Sequence, residues 1–218
     1  MKKKLALTTK FFLFFVFIVT TLTFLTINTA SAMEAPDEIV RRSTNEIFNA
    51  IKSDKEIQSG NVQKLEHLLN EKIFIHFNFP HMTKLALGRN WRDASEVQKS
   101  DLSSQFKFLL VRTYSTALAQ YINQKVEVKP LKLSPSDVDV VVKTNVSQAS
   151  GQVIPIDYSM ENTPTGWKAY DILIDGVSLV TNYRSSFNAE IQKSGIDGLI
   201  QALKQRTAKN ATKNKLLQ

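Results

Sequence analysis

The chain has 218 residues and no cysteine, with Lys+Arg 28 against Asp+Glu 20 and a formal net charge of +8. The missing cysteine excludes a disulfide framework, a thiolate metal site and a lipid-modified cysteine anchor. Lys2, Lys3, Lys4 and Lys10 precede Met33 with no acid among them, so from there on 24 bases face 20 acids. That balance is an ordinary solubility charge, and the bases lie scattered among acids without the aromatic-interleaved stripe of a nucleic-acid binder.

In chain order, the three lysines of positions 2 to 4 are followed by an unbroken apolar run from Phe11 to Val19 and then by Ala30-Ser31-Ala32, a small-x-small tripeptide. This is the pattern of a cleaved export signal over residues 1–32; Thr20, Thr21, Thr23 and Thr26 dilute the second half and argue against a retained anchor. The remainder is expected to be one domain over residues 33–206, followed by a flexible basic tail over 207–218, because no repeat or Pro/Gly-rich linker divides it.

Helical periodicity comes first. Val40, Ile47, Phe48 and Ile51 share one face from Asp37 to Ile51, and Val62, Leu65, Leu68, Leu69 and Ile73 share the next. A short apolar helix is predicted between Pro80, a good opening residue, and Gly88, a good closing one, with Phe77, Phe79 and Trp91 beside it. Ser95 and Gln98 make a capping box for a long helix to about Ile122, whose inward stripe is Leu102, Phe106, Leu109, Leu110, Thr113, Ala117 and Tyr121.

The period then changes to two. KVEVKPLKL reads as a first strand that Pro130 either bulges or confines to an edge, and DVDVVVKTNV places Val138, Val140, Val142 and Val146 on one face. VIPIDYSM does the same with Ile154, Ile156, Tyr158 and Met160, and WKAYDILI with Tyr170, Ile172 and Ile174. Helices return from about Leu179 to Lys193, stop at Gly195, and resume from Asp197 to about Arg206. The expected fold is α+β: a curved, four-stranded antiparallel sheet wrapped by helices, with room for an apolar cavity between the layers.

Chemistry-bearing motifs are few. His67, His76 and His81 have no metal-ligand spacing, and His81, in the first turn of the short helix, reads as a surface residue. No nucleophile elbow, phosphate-binding loop or dinucleotide fingerprint is present. Asp157 and Asp171 fall opposite the bulky residues of their strands and are expected to face solvent. What stands out is bulky apolar surface accompanied by Tyr114, Tyr121, Tyr158, Tyr170 and Tyr183; periodicity alone leaves open whether it is all core or partly the wall of a cavity.

The blocks LALGRNWR (85–92), LLVRTYSTALAQY (109–121), PIDYSMENTPTGWKAYD (155–171), DGVSLVTNYRSSF (175–187) and GIDGLI (195–200) occur in an order and spacing that resembles the MlaC family, the toluene-tolerance auxiliary proteins. The resemblance covers about Pro36 to Lys209; Asn78, where an acid is expected in close relatives, departs from it. It implies a phospholipid carrier of the Gram-negative periplasm with a nuclear-transport-factor-like cone. It also implies an outer-membrane lipoprotein complex and an inner-membrane ABC transporter with an MCE-domain subunit as partners, and a role in outer-membrane lipid asymmetry. No cofactor, metal or catalytic residue is implied, bound phospholipid being the cargo, and the carrier is expected to act as a monomer.

On that resemblance, Phe79, Met82 and Leu85 of the short helix are expected to line or gate an acyl-chain pocket. The other walls are expected from Leu110, Tyr114, Val140, Val142, Ile154, Ile156, Tyr158, Tyr170 and Ile172, with Val177, Leu179 and Val180 at the return from sheet to helix. Arg89 and Arg184 are candidates for phosphate or partner contacts, with plain surface charge an equally good account. An isomerase-type enzyme in the same cone would instead need an acid such as Asp157 pointing inward, and a structural adaptor would have a filled core.

Overall fold

The computed structural model describes residues 33–121, 124–148 and 150–216. The expected signal, residues 1–32, lies outside the described residues, as do the side chains of Ala117 and Tyr121. Helix α1 (Pro36–Ser53) opens on Pro36 and presents Ile39, Val40, Ile47 and Ile51 inward. Short α2 (Lys55–Gln58) is capped by the Asp54 side chain, and α3 (Val62–Lys72) by that of Asn61.

Helix α4 (Phe79–Leu87) is the predicted short one, with Asn78 capping its start and Gly88 (φ 58°) ending it. A 3-10 turn (Gly88–Arg92) leads to α5 (Glu96–Tyr121). The capping box forms as expected: Ser95 N donates to Gln98 Oε1 at 2.9 Å and Gln98 N to Ser95 Oγ at 3.2 Å.

Strands β1 (Lys125–Val128), β2 (Asp139–Ser147), β3 (Val153–Thr163), β4 (Gly166–Ile174) and β5 (Val177–Ser178) pair as an antiparallel meander in sequence order. The sheet therefore has five strands where four were expected. Two-residue β5, paired as Leu173 with Ser178 and Ile174 with Val177, is too short to carry a period. A register shift at Ser159/Met160 brings Tyr158 opposite Ile172 but Met160 opposite Ala169, so Tyr170 falls in the irregularity. Val138 precedes β2 and is exposed, while Val142, Thr144 and Val146 are buried.

Helix α6 (Leu179–Leu216) breaks at Gly195 (φ 72°, ψ −176°), the expected stop, and its helical backbone continues past Arg206. Three packed clusters hold these elements. One joins Met82, Leu87, Phe106, Leu110, Phe187 and Leu203 of α4, α5 and α6. A second sets Ile39 and Val40 of α1 on Val142, Met160, Trp167 and Ala169 of the sheet. The third packs Ile51, Leu65 and Leu69 with Val111 of α5. Helix α5 is thus buried on two sides, and Thr113 of the predicted stripe is exposed instead.

Candidate functional site

Strand register assembles one continuous apolar face from residues far apart in sequence. Val142, Tyr158 and Ile172 form one rung, Thr144, Ile156 and Ile174 the next, Val146 lies beside Ile154, and Val140 beside Met160. Tyr158 and Val140 pack against the sheet cluster, whereas Ile172 and Tyr170 pack against the helical one together with Tyr114, Phe79 and Leu85. These side chains therefore bridge the two layers. Val142, Met82 and Val180 are fully enclosed, Leu110 and Leu179 nearly so, but Val140, Ile154, Ile156, Tyr158 and Ile172 of the sheet keep partial access. Val177 lies on the surface, 62% exposed.

Tyr158 combines two properties. Burial pushes its phenol up to about 12, so it stays un-ionised, yet the side chain is not sealed. Its hydroxyl has no hydrogen-bond partner among the described residues. A deep tyrosine without a polar partner is suited to a wall that an amphiphile can touch.

The short helix is tied to its surroundings at both ends. Asn78 N donates to Ala169 O at 2.8 Å, and the Asn78 side chain accepts from His81 N and donates to Glu161 Oε1 at 2.7 Å. His81 Nδ1 lies 2.9 Å from the same Glu161 oxygen and its ring stacks on Tyr170 at 4.6 Å, so it is part of a packed polar cluster and not a plain surface residue. The Tyr170 hydroxyl in turn donates to Asp139 at 2.9 Å. At the other end, Arg184 donates twice to Leu85 O, at 3.1 and 2.8 Å. That contact satisfies a helix-terminal carbonyl, so Arg184 serves as a C-terminal clamp, while Arg89 is exposed.

An open groove of about 420 Å³ runs between α4 and α5. Phe79 and Trp91 form its apolar part, and Lys99, Ser103 and Lys107, one turn apart on α5, form its polar wall. Of these, only Phe79 was expected at a site; the signal for the rest is the i, i+4, i+8 spacing of Lys99, Ser103 and Lys107 beside the apolar stripe.

The two strand carboxylates that the sequence singled out are placed differently. Asp171, expected in solvent, does fall opposite Ile172 on its strand, but β5 and the start of α6 cover it there, and it accepts from Ser178 Oγ at 2.5 Å, Ile172 N at 2.8 Å and Val180 N at 3.2 Å. Asp157 is half-buried and lies opposite Lys143 in the register of β2 and β3. Among the described residues no group of three or more His, Asp or Glu could hold a metal ion, and no helix is long and apolar enough to cross a membrane.

These features define an α+β domain whose helices close over an apolar sheet face. The MlaC protein family profile matches residues 41–205 of this chain, and the chain belongs to that family. It is 26% identical over 167 residues to the toluene tolerance protein ttg2D of Pseudomonas putida, covering 76% of this chain and 77% of that one. It is 24% identical over 181 residues to the intermembrane phospholipid transport system binding protein MlaC of Haemophilus influenzae, covering 81% and 84%. Its fold superposes with a TM-score of 0.76 and 37% identity on the phospholipid-binding protein of Ralstonia solanacearum, solved in complex with a phospholipid, covering 82% of this chain and 99% of that one.

Proposed function

We propose that this chain is a periplasmic phospholipid-binding transport protein that carries phospholipid between outer-membrane and inner-membrane complexes. The observation that carries this reading is the sheet face around Tyr158: apolar, deep between layers and still partly accessible. Its likeness to a phospholipid-bound protein, over almost the whole of that protein, supports the same reading. The wall is Val140, Val142, Ile154, Ile156, Tyr158, Tyr170 and Ile172, with Phe79, Leu85 and Tyr114 from the helices, in a cone-like arrangement. Family membership supports an outer-membrane lipoprotein complex and an ABC transporter with an MCE-domain subunit as the two docking partners.

Physical chemistry explains why such a carrier needs no active site. Each buried methylene is worth about 0.8 kcal/mol, so two acyl chains of some fifteen methylenes represent roughly 25 kcal/mol against exposure to water. Lipid cannot cross an aqueous gap alone at a useful rate. A protein wall offering comparable burial makes exchange nearly neutral, and partners can then bias it. Mass spectrometry of organic extract from protein purified without detergent tests the proposal. Stoichiometric phospholipid is expected; folded protein that is empty and takes up no lipid would refute it.

A further inference from the structure

The groove between α4 and α5 contains a cation that the fold does not explain. Lys107 is half-buried, and its Nζ lies 4.9 Å from the centroid of Phe74 and 5.5 Å from that of Phe79. Burial lowers the pKa of its ammonium group, and no carboxylate lies within ion-pair distance of it among the described residues. Two turns earlier, Lys99 sits over Trp91 at 5.5 Å. Lys99 does hold Glu96 at 2.8 Å, and Glu96 also stands on the groove's rim, but its side chain is 89% exposed, so that pair is weak and an anion can displace it. Ser100 and Ser104 line the groove with exposed hydroxyls, whereas the Ser103 hydroxyl is already committed to Lys99 O at 2.7 Å. Two ammonium groups, two available hydroxyls and an aromatic wall make a place for an anion attached to an apolar body.

We propose that this groove is a phosphate subsite in which Lys99 and Lys107 hold the phosphodiester of a bound phospholipid while Phe79 and Trp91 contact its adjoining apolar part. The assignment rests on the carrier reading for the lipid, and on the groove alone for the anion. Phe79 belongs both to this groove and to the side chains packed on the helical core, so it marks where a headgroup in the groove meets chains in the interior. The arrangement selects for a phosphate and leaves whatever is esterified to it in water.

The test compares phosphatidylglycerol and diacylglycerol carrying identical fluorescent acyl chains, bound to lipid-free full chain and to its Lys99→Gln/Lys107→Gln variant. The wild type is expected to favour phosphatidylglycerol by about tenfold, and the variant to lose that preference while still binding diacylglycerol. A folded variant that keeps the preference overturns the subsite and leaves the groove to an acidic protein partner. Inorganic phosphate supplies the second arm: selective competition against phosphatidylglycerol means that the free anion suffices, and no competition means that the phosphate must be lipid-borne. If the wild type binds neither lipid, the carrier reading fails. The subsite then stands only if ³¹P line broadening of inorganic phosphate depends on the two lysines, and falls if it does not.

Discussion

The Ser178 hydroxyl donates to the buried Asp171 carboxylate at 2.5 Å, and the same hydroxyl accepts from Thr181 N at 3.0 Å. Asp171 also takes Val180 N, so strand β4 and the residue before α6 together cap that helix. This gives two family-like blocks, one ending in AYD and one containing DGVSL, a structural reason to occur together. Asp171→Ala strands two backbone donors in a buried site and is expected to cost about 3 kcal/mol, with Ser178→Ala nearer 1 kcal/mol. Urea denaturation checks both, and equal small losses would show that the cap is not shared.

GIDGLI has an equally local explanation. A Cβ on Gly198 would lie 2.0 Å from Ser194 Oγ and 2.3 Å from Ser194 Cβ, because the break at Gly195 folds that side chain over it. Gly198→Ala is expected to lose about 1–3 kcal/mol by overpacking. Adding Ser194→Gly removes the colliding atoms and should recover most of the loss at the melting midpoint. Failure to recover would place the strain elsewhere.

At Asn78 the departure from an expected acid is accounted for by Glu161. An aspartate at this position could still cap α4, and the helix dipole would favour it by about 0.3–1 kcal/mol. It would, however, replace the 2.7 Å donor to Glu161 with a facing carboxylate. The repulsion and the lost charge-assisted bond are larger, about 1.5–3 kcal/mol, so Asn78→Asp should lower the melting temperature at neutral pH. Glu161→Gln in the same chain should restore it, and a destabilisation indifferent to Glu161 would refute the account.

These cases show which parts of the molecule were legible. Signals that act within one turn were readable: the Ser95/Gln98 box, the Pro80 and Gly88 ends of α4, and the Gly195 break. Period-two patterning found four strands and the shared face of Val142, Tyr158 and Ile172. Neither β5 nor the burial of Asp171 was accessible, because one is two residues long and the other follows from Ser178 and Val180 of the next elements closing over the carboxylate. The clamp made by Arg184 and the cluster around His81 were hidden for a different reason. Their partners, Leu85 O and Glu161, are 99 and 80 residues away, and no local pattern encodes them.

His76 sets a pH dependence. Burial, helped by the nearby Arg42 and Lys168 charges, holds its imidazole below the ordinary 6.5. The unfolded chain then binds more protons than the folded one between the lowered value and 6.5, so stability falls as pH drops through that window. Above 6.5 both states are neutral at this residue and its contribution is flat. Comparing melting temperatures from about pH 7.5 to about pH 5, His76→Gln should show a shallower acid decline than the wild type. A variant with the same slope would assign the decline to other groups.

Tyr158 is where the fold and the proposed cargo can be separated experimentally. Tyr158→Glu places a carboxylate among Val142, Ile172 and Met160, where burial disfavours the charge and opposes acyl chains along the same wall. Some loss of stability is therefore expected along with loss of lipid, and the first alone could produce the second. Tyr158→Phe resolves this: it removes only a hydroxyl that has no partner among the described residues, so stability should change by less than about 1 kcal/mol. If Tyr158 lines the wall, the Phe variant retains extractable phospholipid and the Glu variant, confirmed folded by its circular dichroism, retains none. Undiminished lipid in a folded Glu variant would remove Tyr158 from the wall, and with it the rung it forms with Val142 and Ile172.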